Sequence, residues 1–414
     1  MIKFEKFTLA NGLRVIVHTD NATPMVCMNI LYDVGARDER PDQTGFAHLF
    51  EHLMFGGSVN IPNYDEPLQR VGGENNAFTT NDITNYYLTL PSNNIETAFW
   101  LESDRMSGLA FSEKSLEVQR NVVIEEFKQR YLNQPYGDIW LLLKPLAYKV
   151  HPYQWATIGK EISHIENARM EDVKAFFYKH YKPINAIMVL SGNIKTEEVK
   201  QLAEKWFGPL PLAEKAPRNL PVEPPQKEQR KLTVERDVPT DSIYKVFHMC
   251  SKYDKEYHTL DLMSDILSRG NSSRLYNELI KKQKLFAEIN SYVTGDLDKG
   301  LFVVSGKLVN GIKMEDAEKA IDAELDKVKL HLVEEAELTK VKNKIESTLV
   351  FSEMDIMNKA MNLAMAEHLG DANLVNNEVL KYNAVSAEGI QKQANAVIRK
   401  ENSSVLYYMA KKGS

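Results

Sequence analysis

The chain has 414 residues, of which 43% are hydrophobic and 26% charged, ordinary proportions for a globular protein with about two or three domains. A net charge of −6 gives no electrostatic footprint for nucleic acid or an anionic membrane surface. No unbroken apolar run approaches the roughly 18 residues that a membrane span needs. The opening Met1-Ile2-Lys3-Phe4-Glu5-Lys6 is not followed by an apolar stretch of signal-peptide type, so a cytoplasmic location is expected if Met1 is the native start. Cys27 and Cys250, the two cysteines, sit in apolar strand-like runs without metal-ligand spacing and read as reduced core residues.

In chain order, Asn11-Gly12 is a turn signal, and Leu13-Arg14-Val15-Ile16-Val17 after it is strand-like. Phe46, Leu49, Phe50, Leu53 and Phe55 mark an apolar helix, which Gly56-Gly57 ends. Spaced apolar residues among charges predict helices over 115–129, 170–178, 315–330 and 335–346. Between them, residues 209–226 carry Pro211, Pro217, Pro221, Pro224 and Pro225, the composition of an extended linker. Strands and helices are mixed unevenly, which predicts an α+β fold.

The apolar helix contains His48-Leu49-Phe50-Glu51-His52. Two imidazoles four residues apart share one helical face, and a carboxylate three residues after the first lies close to it. Three ionisable groups on an apolar helix are costly to bury without a partner, and a metal is the simplest one. The pattern is that of a mononuclear zinc site with its own general base: two imidazole ligands, room for a carboxylate and a water, and Glu51 to take the water's proton. His-x-x-Glu-His is the inverse of the commoner His-Glu-x-x-His order. A third ligand is needed, and Glu125-Glu126 on the 115–129 helix supplies two candidates. Periodicity leaves the choice open, because Glu125 follows Val118 and Val122 whereas Glu126 follows Gln119, Val122 and Val123.

The chain also reads as a duplication. Residues 45–57 lie on residues 258–270 without a gap, matching Leu49 with Leu262, Leu53 with Ile266 and Gly57 with Gly270. Near the ends of the halves, Asn185-Ala186-Ile187-Met188-Val189-Leu190 parallels Asn402-Ser403-Ser404-Val405-Leu406-Tyr407. A repeat of roughly 200 residues is a duplicated domain rather than a solenoid. His48, Glu51 and His52 fall opposite Asp261, Ser264 and Asp265, so only the first copy carries the metal motif. The expected organisation is a zinc-binding domain over 1–208, a Pro-rich linker over 209–230 and a homologous domain lacking the motif over 231–414.

Together with Leu9-Ala10-Asn11-Gly12-Leu13-Arg14-Val15, Tyr32-Asp33-Val34-Gly35-Ala36-Arg37-Asp38-Glu39 and Val122-Val123-Ile124-Glu125-Glu126, the motif makes the chain resemble the pitrilysin/insulinase family of inverted zincins. Within it, the chain is similar to the subunits of roughly 400 residues related to mitochondrial processing peptidase. The resemblance covers nearly the whole chain. It implies two α/β-sandwich domains, each an antiparallel or mixed sheet flanked by helices. It implies one zinc ion per chain held by His48, His52 and Glu126, which lies 74 residues after His52. It makes Glu51 the general base of peptide hydrolysis. Asn75-Asn76-Ala77-Phe78-Thr79-Thr80 matches the strand on which relatives bind extended substrate by strand addition, which makes Asn76, Ala77, Phe78 and Thr79 substrate-binding residues. From the residues alone, Asn76 reads equally as the end of a turn after Gly72-Gly73.

Two departures from the family pattern bear on function. Gln119 stands where many members carry Glu, seven residues before the third ligand, and as a neutral amide it would still orient that ligand. Relatives supply an Arg and a Tyr from the second half to the substrate and the transition-state oxygen. Those positions here are Ile280 and Ala287, neither of which can donate a hydrogen bond to an oxyanion. The expectation is a heterodimer whose homologous partner lacks the zinc motif and supplies Arg and Tyr around a closed chamber; a homodimer would leave both sites without the pair. The reading from another class is a structural or peptide-binding subunit of the same fold without catalysis.

Overall fold

A computed structural model describes residues 1–411. The first half of the chain runs through β1 (Glu5–Thr8), β2 (Arg14–Thr19), β3 (Met25–Tyr32), α1 (Phe46–Leu53), α2 (Asp65–Arg70), β4 (Glu74–Thr79) and β5 (Thr84–Pro91). It continues with α3 (Ile95–Ser107), α4 (Glu113–Phe127), α5 (Ile139–Ala147), α6 (Ile162–Glu166), α7 (Met170–His180), β6 (Ala186–Gly192) and α8 (Thr196–Trp206). The second half runs through β7 (Arg230–Arg236), β8 (Ser242–His248), α9 (Tyr257–Ser268), β9 (Phe286–Val293) and β10 (Leu301–Leu308). After these come α10 (Met314–Leu330), α11 (Glu335–Ser352), α12 (Ile356–His368), α13 (Glu378–Asn383), α14 (Ala387–Val397) and β11 (Ser403–Ala410). No helix among the described residues is long and apolar enough to cross a membrane.

The strands form two mixed sheets, in the orders β1-β2-β6-β3-β5-β4 and β7-β11-β8-β10-β9. Apart from β1 the two orders correspond strand for strand, and each sheet contains one parallel pair, β2–β6 in the first and β7–β11 in the second. This is the duplicated α+β architecture. The matched glycines Gly57 and Gly270 both adopt the left-handed conformation, with φ of 98° and 83°. In each copy the strand after the helix, β4 or β9, lies at the sheet edge, with one side unpaired among the described residues.

The described residues divide into two compact units that exchange segments of the chain. One comprises Met1–Lys128, Trp155–Leu220 and Leu349–Asn377; the other comprises Gln129–Gln154, Pro221–Thr348 and the chain from Glu378 onward. This differs from a strictly sequential division because each sheet has a face covered by a helix from the other half of the sequence. In the first unit, Ala360, Leu363 and Ala364 of α12 pack on Ile16, Cys27, Leu31, Ile187 and Val189. Side chains alternate across a sheet, so those odd-numbered residues of β3 and β6 face α12 while Val26, Met28, Met188 and Leu190 are buried on the opposite face. In the second unit, Ile139, Leu143 and Ala147 of α5 pack on Val246, Val303, Leu406 and Tyr408.

Residues 211–227 are extended and without regular secondary structure, as their prolines predict. They are nonetheless anchored. The Arg218 guanidinium donates to Asp33 Oδ1 at 2.8 Å and Asp38 Oδ1 at 2.7 Å within the first unit. In the second unit the buried Glu223 carboxylate accepts the backbone N–H groups of Lys149, Val150 and His151. Hydrogen bonds to both ends make the segment a strap rather than a loose tether.

Candidate metal centre

The site is built on α1. Its eight residues bury Phe46, Ala47, Leu49, Phe50 and Leu53 on one side and leave His48, Glu51 and His52 half-buried on the other. The apolar side is fixed by ring packing: Phe50 stacks on Phe176 at 4.9 Å and on Tyr181 at 5.5 Å. At the N-terminus, Gly45 has φ of +89°, and a Cβ there would meet Ile158 O at 2.7 Å, so only glycine fits. The first-turn N–H groups, which have no acceptor within the helix, are met by the buried Glu39 carboxylate: Oε2 accepts from Gly45 at 2.9 Å and Oε1 from Ala47 at 2.8 Å. Glu39 therefore holds the helix one residue before His48. The local rules for helix starts look for a short polar side chain at the N-cap itself, and here that position is Gly45.

α4 delivers the third group. Ser112 caps it, accepting from Ser115 N at 3.0 Å, and Leu116, Val123, Ile124 and Phe127 are its buried face. Arg120 fastens the same helix to the end of α6, its Nη1 donating to Glu166 O at 3.0 Å and Ala168 O at 3.3 Å. Glu126 Oε2 then stands 3.4 Å from His52 Nε2 and 3.7 Å from His48 Nε2. Glu125 points to solvent and pairs with Lys128 at 2.8 Å. Gln119 lies half-buried two turns before Glu126 on the same face, about 10 Å along the axis.

The ligand atoms of His48, His52 and Glu126 all lie within 4.8 Å of one another. Atoms held about 2.0–2.1 Å from a tetrahedral ion stand roughly 3.3–3.4 Å apart, close to the spacings here. Two imidazoles and one carboxylate are donors that suit zinc, and a tetrahedral ion with three such donors would keep a fourth position. The donor set therefore fits the ion.

Glu51 turns towards β4, where its Oε2 accepts from Thr79 Oγ1 at 2.7 Å. Burial raises its pKa, the bond from Thr79 and the charge of His52 work the other way, and nearby Glu126 adds to the rise. Among the described residues β4 pairs only with β5, with Asn76 opposite Tyr87 and Thr79 opposite Thr84. Of the residues expected to bind substrate, Asn76 and Phe78 are exposed, whereas Ala77 and Thr79 are half-buried. Asn76 Oδ1 accepts the backbone N–H of Ala77 at 2.8 Å. Asn76 is thus part of the strand, with its side chain engaged on its own backbone.

Comparison with known proteins bears on the family. Residues 14–137 match the model described as insulinase (peptidase family M16), and residues 167–345 match the model described as peptidase M16 inactive domain. A zinc protease of Helicobacter pylori, PqqE, is 33% identical over 346 residues, 82% of this chain and 78% of that protein. The chain belongs to the insulinase family, peptidase family M16. The crystal structure of a protease from Helicobacter pylori superposes on this M16 chain with a TM-score of 0.94 at 29% identity, covering 99% of this chain and 100% of that one. A further M16 relative, from Arabidopsis thaliana, carries the name probable mitochondrial-processing peptidase subunit beta. It is 24% identical over 357 residues, 83% of this chain and 66% of that protein.

Proposed function

We propose that this chain is the zinc-bearing subunit of an endopeptidase acting on short or unfolded polypeptides. The observation that carries the reading is the convergence of His48, His52 and Glu126 within 4.8 Å beside Glu51. His48 Nε2, His52 Nε2 and a Glu126 oxygen would hold one zinc ion. When bound, zinc supplies Lewis acidity, polarising a carbonyl and easing the deprotonation of water. Glu51 takes the proton of the attacking water and returns it to the amine that leaves as the peptide C–N bond breaks. The peptide joins the unpaired edge of β4 along Asn76, Ala77, Phe78 and Thr79. Backbone pairing there accepts many sequences but only an extended chain. Gln119 would help to orient Glu126 from two turns away.

Ile280 lies in the helical turn Tyr276–Lys282, and Ala287 is exposed on β9. Neither can stabilise an oxyanion, which supports a homologous partner without the zinc motif that supplies Arg and Tyr and closes the chamber. The name of the Arabidopsis relative makes that protein one subunit of an enzyme, in keeping with a paired arrangement. The match of residues 167–345 to an inactive-domain model favours a second reading, a non-catalytic structural or peptide-binding subunit.

Glu51→Gln separates the two. In the catalytic reading the variant keeps one zinc per chain and loses at least about 100-fold in the rate of cleaving a quenched fluorescent peptide library. Zinc bound by a wild-type chain that cleaves nothing, either alone or with a motif-less homologous subunit, supports the second reading and ends the first.

A further inference from the structure

β4 and Glu51 are joined in a way that the family resemblance does not require. The Thr79 hydroxyl donates to Glu51 Oε2 at 2.7 Å, tying the base to the edge strand. The N–H of Thr80 bonds Ile83 O at 2.9 Å, so by alternation the N–H of Thr79 turns to the open side of β4. Two residues earlier the N–H of Ala77 meets Asn76 Oδ1 instead of a β5 carbonyl. Alternate residues of an edge strand turn their N–H groups to the open side. Ala77 and Thr79 are therefore the positions whose N–H groups face an added peptide strand, and the Thr79 side chain at the end of that edge holds Glu51.

We infer that Thr79 is a positioning residue which acts through Glu51, fixing one carboxylate oxygen at the end of the peptide-binding edge so that the other faces the attacking water. The inference rests on the proposed peptidase reading and changes the expected role of Thr79 from substrate contact to orientation of the base. Thr79 suits the task because its β-branch restricts χ1, leaving the hydroxyl few directions to point.

The test compares Thr79→Val, which keeps the shape and removes the hydroxyl, with Thr79→Ser, which keeps the hydroxyl. The zinc-loaded chain is assayed with and without a homologous motif-less subunit. Thr79→Val is expected to lower kcat about 10-fold with KM within about twofold of wild type, and Thr79→Ser to restore most of the rate. Zinc affinity, measured by competition with a chelator, stays at the wild-type value in both. A raised KM with kcat preserved would show that Thr79 only contacts substrate, and would overturn the inference.

A readout independent of activity is the unfolding midpoint of the zinc-free protein in a cycle of Thr79→Val and Glu51→Ala. Thr79→Val should shift the midpoint when Glu51 is present and have no effect when it is alanine. Equal shifts in both backgrounds would overturn the contact itself. Absence of hydrolysis by the wild-type protein, with a non-additive cycle, would instead locate the failure in the peptidase reading and leave Thr79 without a catalytic role.

Discussion

Glu125 and Glu126 are neighbours on α4, yet successive residues turn 100° around a helix and meet different surroundings. Glu125 reaches Lys128 in solvent, and Glu126 reaches the two imidazoles. Glu126→Gln is expected to weaken zinc affinity by more than about 100-fold, beyond the usual effect of removing a residue that only orients a ligand. Glu125→Gln should leave affinity unchanged, because it removes only an exposed ion pair. Chelator competition on the two variants checks both; equal losses would put the metal elsewhere. The sequence could not make this choice by periodicity, and the reason is physical. Val118 and Val122, which served as pointers to the inward face, are 48% and 44% exposed, and the buried face is Leu116, Val123, Ile124 and Phe127. Apolar residues were legible, but which of them were covered was not. His48, Glu51 and His52 were legible because α1 is short and apolar on every other side. The roles of Glu39 and Thr79 were not, since Glu39 caps α1 from six residues before the N-cap rather than from the N-cap itself, and Thr79 meets Glu51 across 28 residues of chain.

Among the elements, helix positions followed the pattern closely: the 115–129 expectation became Glu113–Phe127 and the 315–330 expectation Met314–Leu330. What periodicity did not reveal is how charges inside these elements are paired. Lys245 on β8 is buried, with Nζ 3.0 Å from Glu318 and 2.5 Å from Asp322 on α10. Glu318 also accepts from Lys231 at 2.8 Å and from the Tyr407 hydroxyl. Burial pushes Glu318 upward, but bonds from Lys231 and Tyr407 and the charge of Lys245 outweigh it and hold the carboxyl at about 2. A carboxyl depressed in the folded state contributes stability above its unfolded value near 4.5, and this is lost as pH falls towards 2. Lys245→Met removes one cation, leaving Glu318 with Lys231 and Tyr407 and leaving Asp322, about half exposed, against an apolar side chain. At pH 7 it should cost less than the about 3–5 kcal/mol of a fully uncompensated buried charge, because Glu318 keeps Lys231 and Asp322 reaches water. The gap to wild type should narrow as pH falls below 4.5 and Glu318 takes up its proton. Denaturant titrations at pH 7, 4 and 2.5 measure this, and a gap independent of pH would refute the assignment.

At the scale of the whole molecule, duplication and the Pro-rich strap were legible, while the exchange of α5 and α12 was not. An amphipathic pattern states that a helix has an apolar face and is silent on which sheet receives it. Ala360, Leu363 and Ala364 meet the first sheet only because the chain returns there at residue 349, after building most of the second unit. The consequence is that neither half is self-sufficient. A fragment of residues 1–220 lacks the segment Leu349–Asn377, and its sheet would expose Ile16, Cys27, Leu31, Ile187 and Val189 together, a contiguous apolar patch of the kind that drives association. Expressed alone, it should aggregate or bind a hydrophobic dye strongly. Co-expressed with residues 221–414, which carry α12 and lack α5, it should give a soluble complex. Within the intact chain, Leu363→Ala should cost about 2–5 kcal/mol, as for other fully buried leucines, even though it lies more than 150 residues in sequence from any strand it covers. If residues 1–220 alone unfold cooperatively at the midpoint of the intact chain, α12 is dispensable to that sheet. The first unit would then be a sequential domain after all, and the exchanged helix only an addition to its surface.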